Sequence, residues 1–212
     1  HFTDRRQRQM CIRDSREELM APLQMLDRSL RAVGLSDIAD GDLKNTLRRL
    51  NCFGITLLRL DIRQESTRHS EVLDAITRYL QLGSYNDWDE AARQAFLVDE
   101  LQARRPLIDA TFRDSEHCTP EVAEVLATCE VIAEQGSEGL GAYVISMATT
   151  PSDVMAVMLL QKIAGVREPM RVVPLFETLD DLDGAEQTMS ALLALPFYRE
   201  RVAAGQEVMI GY

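Results

Sequence analysis

Apolar positions along this chain fall first at helical spacing and later at alternating strand and helix spacing. From Glu17 to about Val33, Leu19, Leu23, Leu26, Leu30 and Val33 recur every three to four residues, which predicts an amphipathic helix stopped by Gly34. Leu43, Leu47 and Leu50 predict a second, shorter helix opened by Asp40-Gly41-Asp42. An apolar stretch from about Phe53 to Ile62 then predicts the first strand. Beyond Arg63 the pattern turns helical again. Val72, Leu73, Ile76, Tyr79 and Leu80 share one face before Gly83, and Ala92, Phe96, Leu97 and Leu101 share another between Trp88 and Ala103. Thr119-Pro120-Glu121 opens a further helix with Pro at its first position, and Val122, Val125, Leu126, Cys129 and Ile132 are its inward residues. About eighty residues of mostly helix therefore separate the first strand from the second.

From Ala142 the rhythm tightens. Tyr143 to Met147 and Val172 to Phe176 predict strands, and Glu207 to Gly211 a third. Between them, Thr150-Pro151-Ser152-Asp153 and Thr178-Leu179-Asp180-Asp181 each carry a helix-capping signature: a Thr side chain for the open N–H groups, and an acid three residues on to reach back. Val154, Val157, Met158, Leu160 and Ile163 pack the first of these helices, which ends at Gly165. Met189, Leu192, Leu193 and Leu195 pack the second, which stops at Pro196. Strand–helix alternation with short turns indicates parallel β/α units in a helix-rich α/β fold, with a large helical insertion after the first strand. The pattern fits an open sheet as well as a closed barrel.

Two of the strands deliver a charged residue to their C-terminal ends, the edge where α/β sheets and barrels place their chemistry. One leads into Arg63, the other into Glu177. A guanidinium offers paired donors to phosphate oxygens and stays charged at any working pH. A carboxylate suits a hard divalent cation. Each has a purely structural reading too: Arg63 as an ion pair with Asp61 or Glu65, Glu177 as the residue before a cap. His69 falls near the same edge and reads as a structural histidine. Arg68, Asp153, Asp180 and Asp181 read as helix-terminus residues, and Ser146 and Thr149 as candidate pocket lining.

Composition narrows the picture further. With 46% hydrophobic and 27% charged residues in 212, the chain is ordinary globular protein, and no apolar run reaches the ~20 residues of a membrane span. A formal charge of -11 argues against a nucleic-acid surface. Cys11, Cys52, Cys118 and Cys129 form no CxxC pair, which reads as a reduced, cytoplasmic protein without a zinc site. Residues 1–15 are basic and polar, lack the apolar core of a signal peptide, and are expected to be a non-native or disordered arm.

The segments Leu60-Asp61-Ile62-Arg63-Gln64-Glu65-Ser66-Thr67-Arg68-His69 and Pro174-Leu175-Phe176-Glu177-Thr178-Leu179-Asp180-Asp181-Leu182 resemble two motifs of phosphoenolpyruvate carboxylases. Tyr143-Val144-Ile145-Ser146-Met147 with Thr150-Pro151-Ser152-Asp153-Val154 resembles a third stretch, and Val208-Met209-Ile210-Gly211-Tyr212 the start of a fourth, in the family's order from about Arg16 to Tyr212. The resemblance implies a partial TIM-barrel-like catalytic domain over 16–212. It implies carboxylation of phosphoenolpyruvate with bicarbonate to oxaloacetate, feeding the tricarboxylic acid cycle. It also implies Mg²⁺ or Mn²⁺ held by Glu177, substrate phosphate bound by Arg63, and a homo-tetrameric parent. The family's catalytic histidine segment, of Thr-Ala-His-Pro-Thr-Glu type, does not occur in this sequence. Its second metal carboxylate, in a Ser-Asp-Ser segment after the Gly-Tyr, falls beyond Tyr212. The 212-residue chain alone is therefore expected to be inactive. Two competing readings stand beside this one: another metal-dependent barrel lyase or aldolase, and a non-catalytic helical interaction domain in which Glu177 and Arg63 are purely structural.

Overall fold

The computed structural model describes residues 16–136, 139–202 and 205–211, so the arm expected over 1–15 lies outside the described residues. The chain divides into two compact units, 1–59 and 60–212. In the first, α1 (Arg16–Ala32) opens on Glu17 and Glu18 and closes on Arg31, charges that complement the helix dipole. Gly34 ends it in the left-handed region at φ 81°, and Leu35 N–H bonds back to Leu30 O. A single turn (Ser36–Ile38) and a π-turn kinked at Gly41 lead into α2 (Lys44–Phe53). Asp40 ties this elbow together by pairing with both Arg31 and Lys44.

The first strand lies further along than its apolar run suggests. Phe53 is the last residue of α2, and Gly54 and Leu57 take positive φ. Ile55, Leu57 and Leu58 stay exposed. The strand β1 (Leu60–Glu65) is instead the alternating segment that can pair with β2 (Leu140–Ser146), in register from Ile62↔Tyr143 to Glu65↔Ser146. Cross-strand pairing, not local hydrophobicity, sets its limits. Arg63 consequently sits within the strand and not after it.

Four parallel strands, β1, β2, β3 (Arg171–Phe176) and β4 (Met209–Ile210), lie side by side in sequence order. The expected helical insertion between β1 and β2 comprises α3 (Ser66–Tyr79), α4 (Glu90–Gln102) and α5 (Pro120–Gln135). Between β2 and β3 runs α6 (Pro151–Ile163). Between β3 and β4 run α7 (Leu179–Ala194) and α8 (Pro196–Arg201), the latter begun by the Pro that ends α7. All five inward residues expected of α5 are buried. Helix α6 is apolar on nearly every side, as a helix enclosed by others must be. It packs against α3, α4, α5, α7 and β3.

Alternation along the strands gives the sheet two different faces. Ile62, Tyr143, Ile145 and Val172 join the helices in the main core. Ala142, Val144, Val173, Leu175 and Met209 form a second, small cluster drawn from strands alone. Register places Arg63 beside Val144 and Val144 beside Val173, so Arg63 belongs to this second face.

At the β1–β2 junction, Asp61 Oδ1 accepts the Ala142 N–H at 2.9 Å. A Cβ on the neighbouring Gly141 would collide with that same oxygen. Gly141→Ala should therefore break the contact and destabilise the chain by about 1–3 kcal/mol. A urea midpoint measured against the parent sequence checks this, and an unchanged midpoint would show the junction does not depend on Asp61.

Candidate active site at the C-terminal edge of the sheet

Strand β3 ends at Phe176, and alternation turns the next residue, Glu177, to the Val173–Leu175 face. The helix that follows has no need of the Glu177 carboxylate. Thr178 Oγ1 accepts the Asp181 N–H at 3.1 Å, and Asp181 Oδ2 accepts the N–H groups of Thr178 at 3.0 Å and Glu177 at 3.3 Å. These bonds hold the Asp181 carboxyl below the usual range, as a loaded cap should. Glu177 is left exposed, with no side-chain hydrogen bond or ion pair among the described residues. Gly211, which donates its N–H to Phe176 O at 2.9 Å, runs directly against it. A Cβ there would lie 2.8 Å from Glu177 Cγ and 3.0 Å from its Cα, so only glycine lets the chain after β4 pass.

Arg63 extends from the same face and is 64% exposed. Among the described residues its one ion-pair partner is Asp61, with Nη2···Oδ2 at 4.0 Å, the outer limit of an ion pair. Asp61 is engaged with Ala142 through its other oxygen. The ion-pair reading of Arg63 thus finds only a marginal partner, worth little at such exposure. The two candidate residues are not in contact by register. Arg63 is level with Val173, four residues before Glu177 and two strands away. At about 3.3 Å per residue and about 4.8 Å per strand, their Cα atoms lie roughly 16 Å apart.

Between them lies the turn after β2. Met147 is exposed and left-handed at φ 56°, unusual for a residue with a side chain. Ser66 Oγ donates to Met147 O at 2.7 Å, and Thr188 Oγ1 donates to Thr149 O at 2.7 Å. Asp153 accepts the N–H groups of Thr149 and Thr150, both at 2.9 Å, completing the predicted capping box. Burial pushes the Asp153 carboxyl up despite these bonds. From α4, Glu90 reaches across to accept the Ser152 N–H at 3.0 Å and Oγ–H at 2.7 Å. Ser146 is half-buried beside Glu65, and Thr149 is exposed, so both stand at this edge. Arg68 turns away to Glu124, at 2.9 Å.

His69 is fully buried, on the helix side of the sheet. Tyr143 O–H donates to Gln64 Oε1 at 2.6 Å, which leaves its oxygen to accept from His69 Nε2 at 2.9 Å. Among the described residues His69 Nδ1 has no partner, and it is the bare nitrogen of this tautomer. Burial, aided by the Arg68 charge, lowers the imidazole to about 4. Nothing local in the sequence marks this chain of bonds, because it joins residues 64, 69 and 143 across two strands and a helix.

A family model described as "Phosphoenolpyruvate carboxylase" matches residues 3–212. Curated relatives of that name include the protein of Alcanivorax borkumensis, 96% identical over 197 residues, which covers 93% of this chain and 22% of the relative. The Pseudomonas aeruginosa protein is 54% identical over 201 residues, 95% of this chain and 22% of the relative. That of Marinobacter nauticus is 55% identical over 196 residues, 92% and 22%. The chain thus spans 22% of the length of these relatives.

The buried imidazole carries a pH prediction. Its folded value lies below the unfolded 6.5, so between 6.5 and about 4 the unfolded chain binds a proton that the folded chain refuses. The His69 contribution is complete above pH 6.5 and is lost as pH falls through that window, by at most about 3 kcal/mol. Urea midpoints across pH 7 to 4 should fall more steeply for the native sequence than for His69→Gln. Parallel curves would contradict the buried neutral imidazole.

Proposed function

The chain belongs to the phosphoenolpyruvate carboxylase family, and from that premise we propose that it forms part of the catalytic domain of a cytoplasmic enzyme that carboxylates phosphoenolpyruvate. In that reaction a bicarbonate oxygen attacks the phosphoryl group, giving carboxyphosphate and the enolate of pyruvate. Carboxyphosphate releases carbon dioxide and inorganic phosphate, and the enolate carbon attacks the carbon dioxide to form oxaloacetate, an input to the tricarboxylic acid cycle. The parent acts as a homo-tetramer in this reading. Among the described residues no helix is long and apolar enough to cross a membrane.

The observation that carries the proposal is the isolation of Glu177. A capping box would ordinarily draw nearby acids to the helix N-terminus, yet Thr178 and Asp181 meet that need and the Glu177 carboxylate stays open. Among the described residues no three His, Cys, Asp or Glu side chains converge as metal ligands. A lone open carboxylate nevertheless fits Mg²⁺ or Mn²⁺, since Mg²⁺ is commonly held by one or two protein carboxylates with water and substrate completing the shell. Bound there, the cation would supply positive charge beside the developing enolate and phosphate oxygens. On the other side of the site, Arg63 would hold the phosphate through paired N–H donors and offset the charge that builds during phosphoryl transfer.

Sheet order supports a barrel wall. Doubly wound open sheets reverse their strand order at a switch point. Here β1 to β4 run in sequence, and the helical core lies against one face with a strand-only cluster on the other. A closed barrel has that arrangement throughout, with its site at the C-terminal edge. Another lyase on the same barrel is disfavoured by the family match along nearly the whole chain.

In the full-length parent, Glu177→Ala should lower turnover at least about 100-fold and raise the metal concentration needed for half-activation. Arg63→Ala should lower kcat/KM for phosphoenolpyruvate by about 100- to 1,000-fold. Steady-state kinetics check both, and near-native turnover in either variant would remove that residue from the site. The purified 212-residue chain should form no oxaloacetate from phosphoenolpyruvate and bicarbonate, and a coupled assay that detected it would contradict the division of the site between this segment and the rest of the parent.

A further inference from the structure

The strand that carries Arg63 is held to the sheet through β2. Among the described residues β1 pairs only with β2, and its ladder is interrupted between Leu60 and Ile62. Side chains compensate on both sides of Arg63. Asp61 accepts from Ala142 N, Gln64 accepts from Tyr143, and Ser66 donates to Met147 O. The middle contact is different in kind, because it continues inward to His69 on α3. Gln64 and Arg63 are adjacent and point to opposite faces, so whatever fixes the height and tilt of Gln64 also fixes the base of the Arg63 side chain. A one-residue slip of β1 would carry the guanidinium to the helix side, and the hydrogen-bonded chain holds only in the observed register.

Packing alone does not call for these groups. Tyr143 and His69 are fully buried among apolar residues of the main core, where Phe and Leu would fill similar space. The hydrogen-bonded chain also leaves His69 Nδ1 without a partner among the described residues, a cost that an apolar core would avoid. What the polar chain adds is direction. Tyr143 has a single proton and gives it to Gln64, so His69 must donate to the phenol oxygen, and burial keeps that imidazole neutral.

We propose that the Gln64–Tyr143–His69 hydrogen-bonded chain sets the position of Arg63 for the substrate phosphate, which makes Tyr143 and His69 positioning residues of the carboxylation reaction. This inference rests on the reading of Arg63 as the phosphate-binding residue. The hydrogen-bonded chain reaches only β1, β2 and α3, and Glu177 follows β3. A loss of the chain therefore acts on phosphoenolpyruvate and not on the metal.

The test uses the full-length parent, with phosphoenolpyruvate and Mg²⁺ varied separately and Arg63→Ala as the reference. Tyr143→Phe keeps the ring and removes both hydrogen bonds. It should lower kcat/KM for phosphoenolpyruvate about tenfold or more, since displacements near 1 Å can cost up to about 100-fold, and leave the half-activating Mg²⁺ concentration unchanged. His69→Leu should do the same, and His69→Gln, which restores an N–H donor, should recover most of the loss. If Tyr143→Phe does not fold, the contrast between Leu and Gln at position 69 decides the matter by itself. A purely structural role predicts otherwise: both substrate and metal terms move together, or only the thermal midpoint moves, and Leu and Gln at 69 behave alike. Either result overturns the proposal. If Arg63→Ala is impaired and Tyr143→Phe is not, the positioning role alone falls. If Arg63→Ala leaves phosphoenolpyruvate kinetics intact, the reading of Arg63 falls and the positioning role with it.

Discussion

Parallel pairing of β1, β2 and β3 is the constraint on which the rest of unit 60–212 depends. Parallel neighbours cannot be joined by a hairpin, so every strand must be followed by a crossover that returns the chain to the same starting edge. All strands therefore finish at one edge, and every crossover begins there. That geometry collects the turn at Met147, Glu177 just after β3 and the start of α3 at Ser66 into one region, although these residues are far apart in sequence. It also demands that the helices be buried on the sheet, which explains why α6, a crossover between two paired strands, is apolar almost all round.

Each crossover brings a helix N-terminus to the same edge, and its open N–H groups compete for any acid nearby. The protein resolves this locally. Thr150 with Asp153, and Thr178 with Asp181, close their own helices, and Glu90 adds a brace from α4. Glu177 is spared by that division of labour, and Gly211 gives it room by lacking a side chain. On the other flank Arg63 is nearly free of acids, because Asp61 is turned to the backbone of β2. An open carboxylate and an open guanidinium on one face of a sheet are the consequence of bonds made by their neighbours.

Much of this could be read along the chain. The five inward residues of α5, the two capping boxes and β3 follow from spacing, because burial on a helix or a strand leaves a periodic trace. Strand β2 begins at Leu140 and ends at Ser146, before the left-handed Met147. The start of β1 does not follow from spacing. Ile55, Leu57 and Leu58 are as apolar as any strand, but β2 offers them no partner, and the segment that does pair is the charged alternation from Leu60 to Glu65. Helix α8 was hidden for a similar reason, since Pro196 both ends one helix and opens the next. Glu177 follows a strand as the spacing suggested, whereas Arg63 lies inside β1, and both are site candidates by family resemblance. The Gln64–Tyr143–His69 chain was not legible, because hydrogen bonds between residues about eighty positions apart leave no local pattern.

Under the proposed function the open carboxylate of Glu177, just after β3, holds the divalent cation. Mn²⁺ binding to the full-length parent, read by enhanced relaxation of water protons, can be compared with that of Glu177→Gln, which keeps size and loses charge. Markedly weaker Mn²⁺ binding is expected in the variant, with folding intact by circular dichroism. Equal Mn²⁺ affinity in the two proteins would contradict a metal-binding role for Glu177.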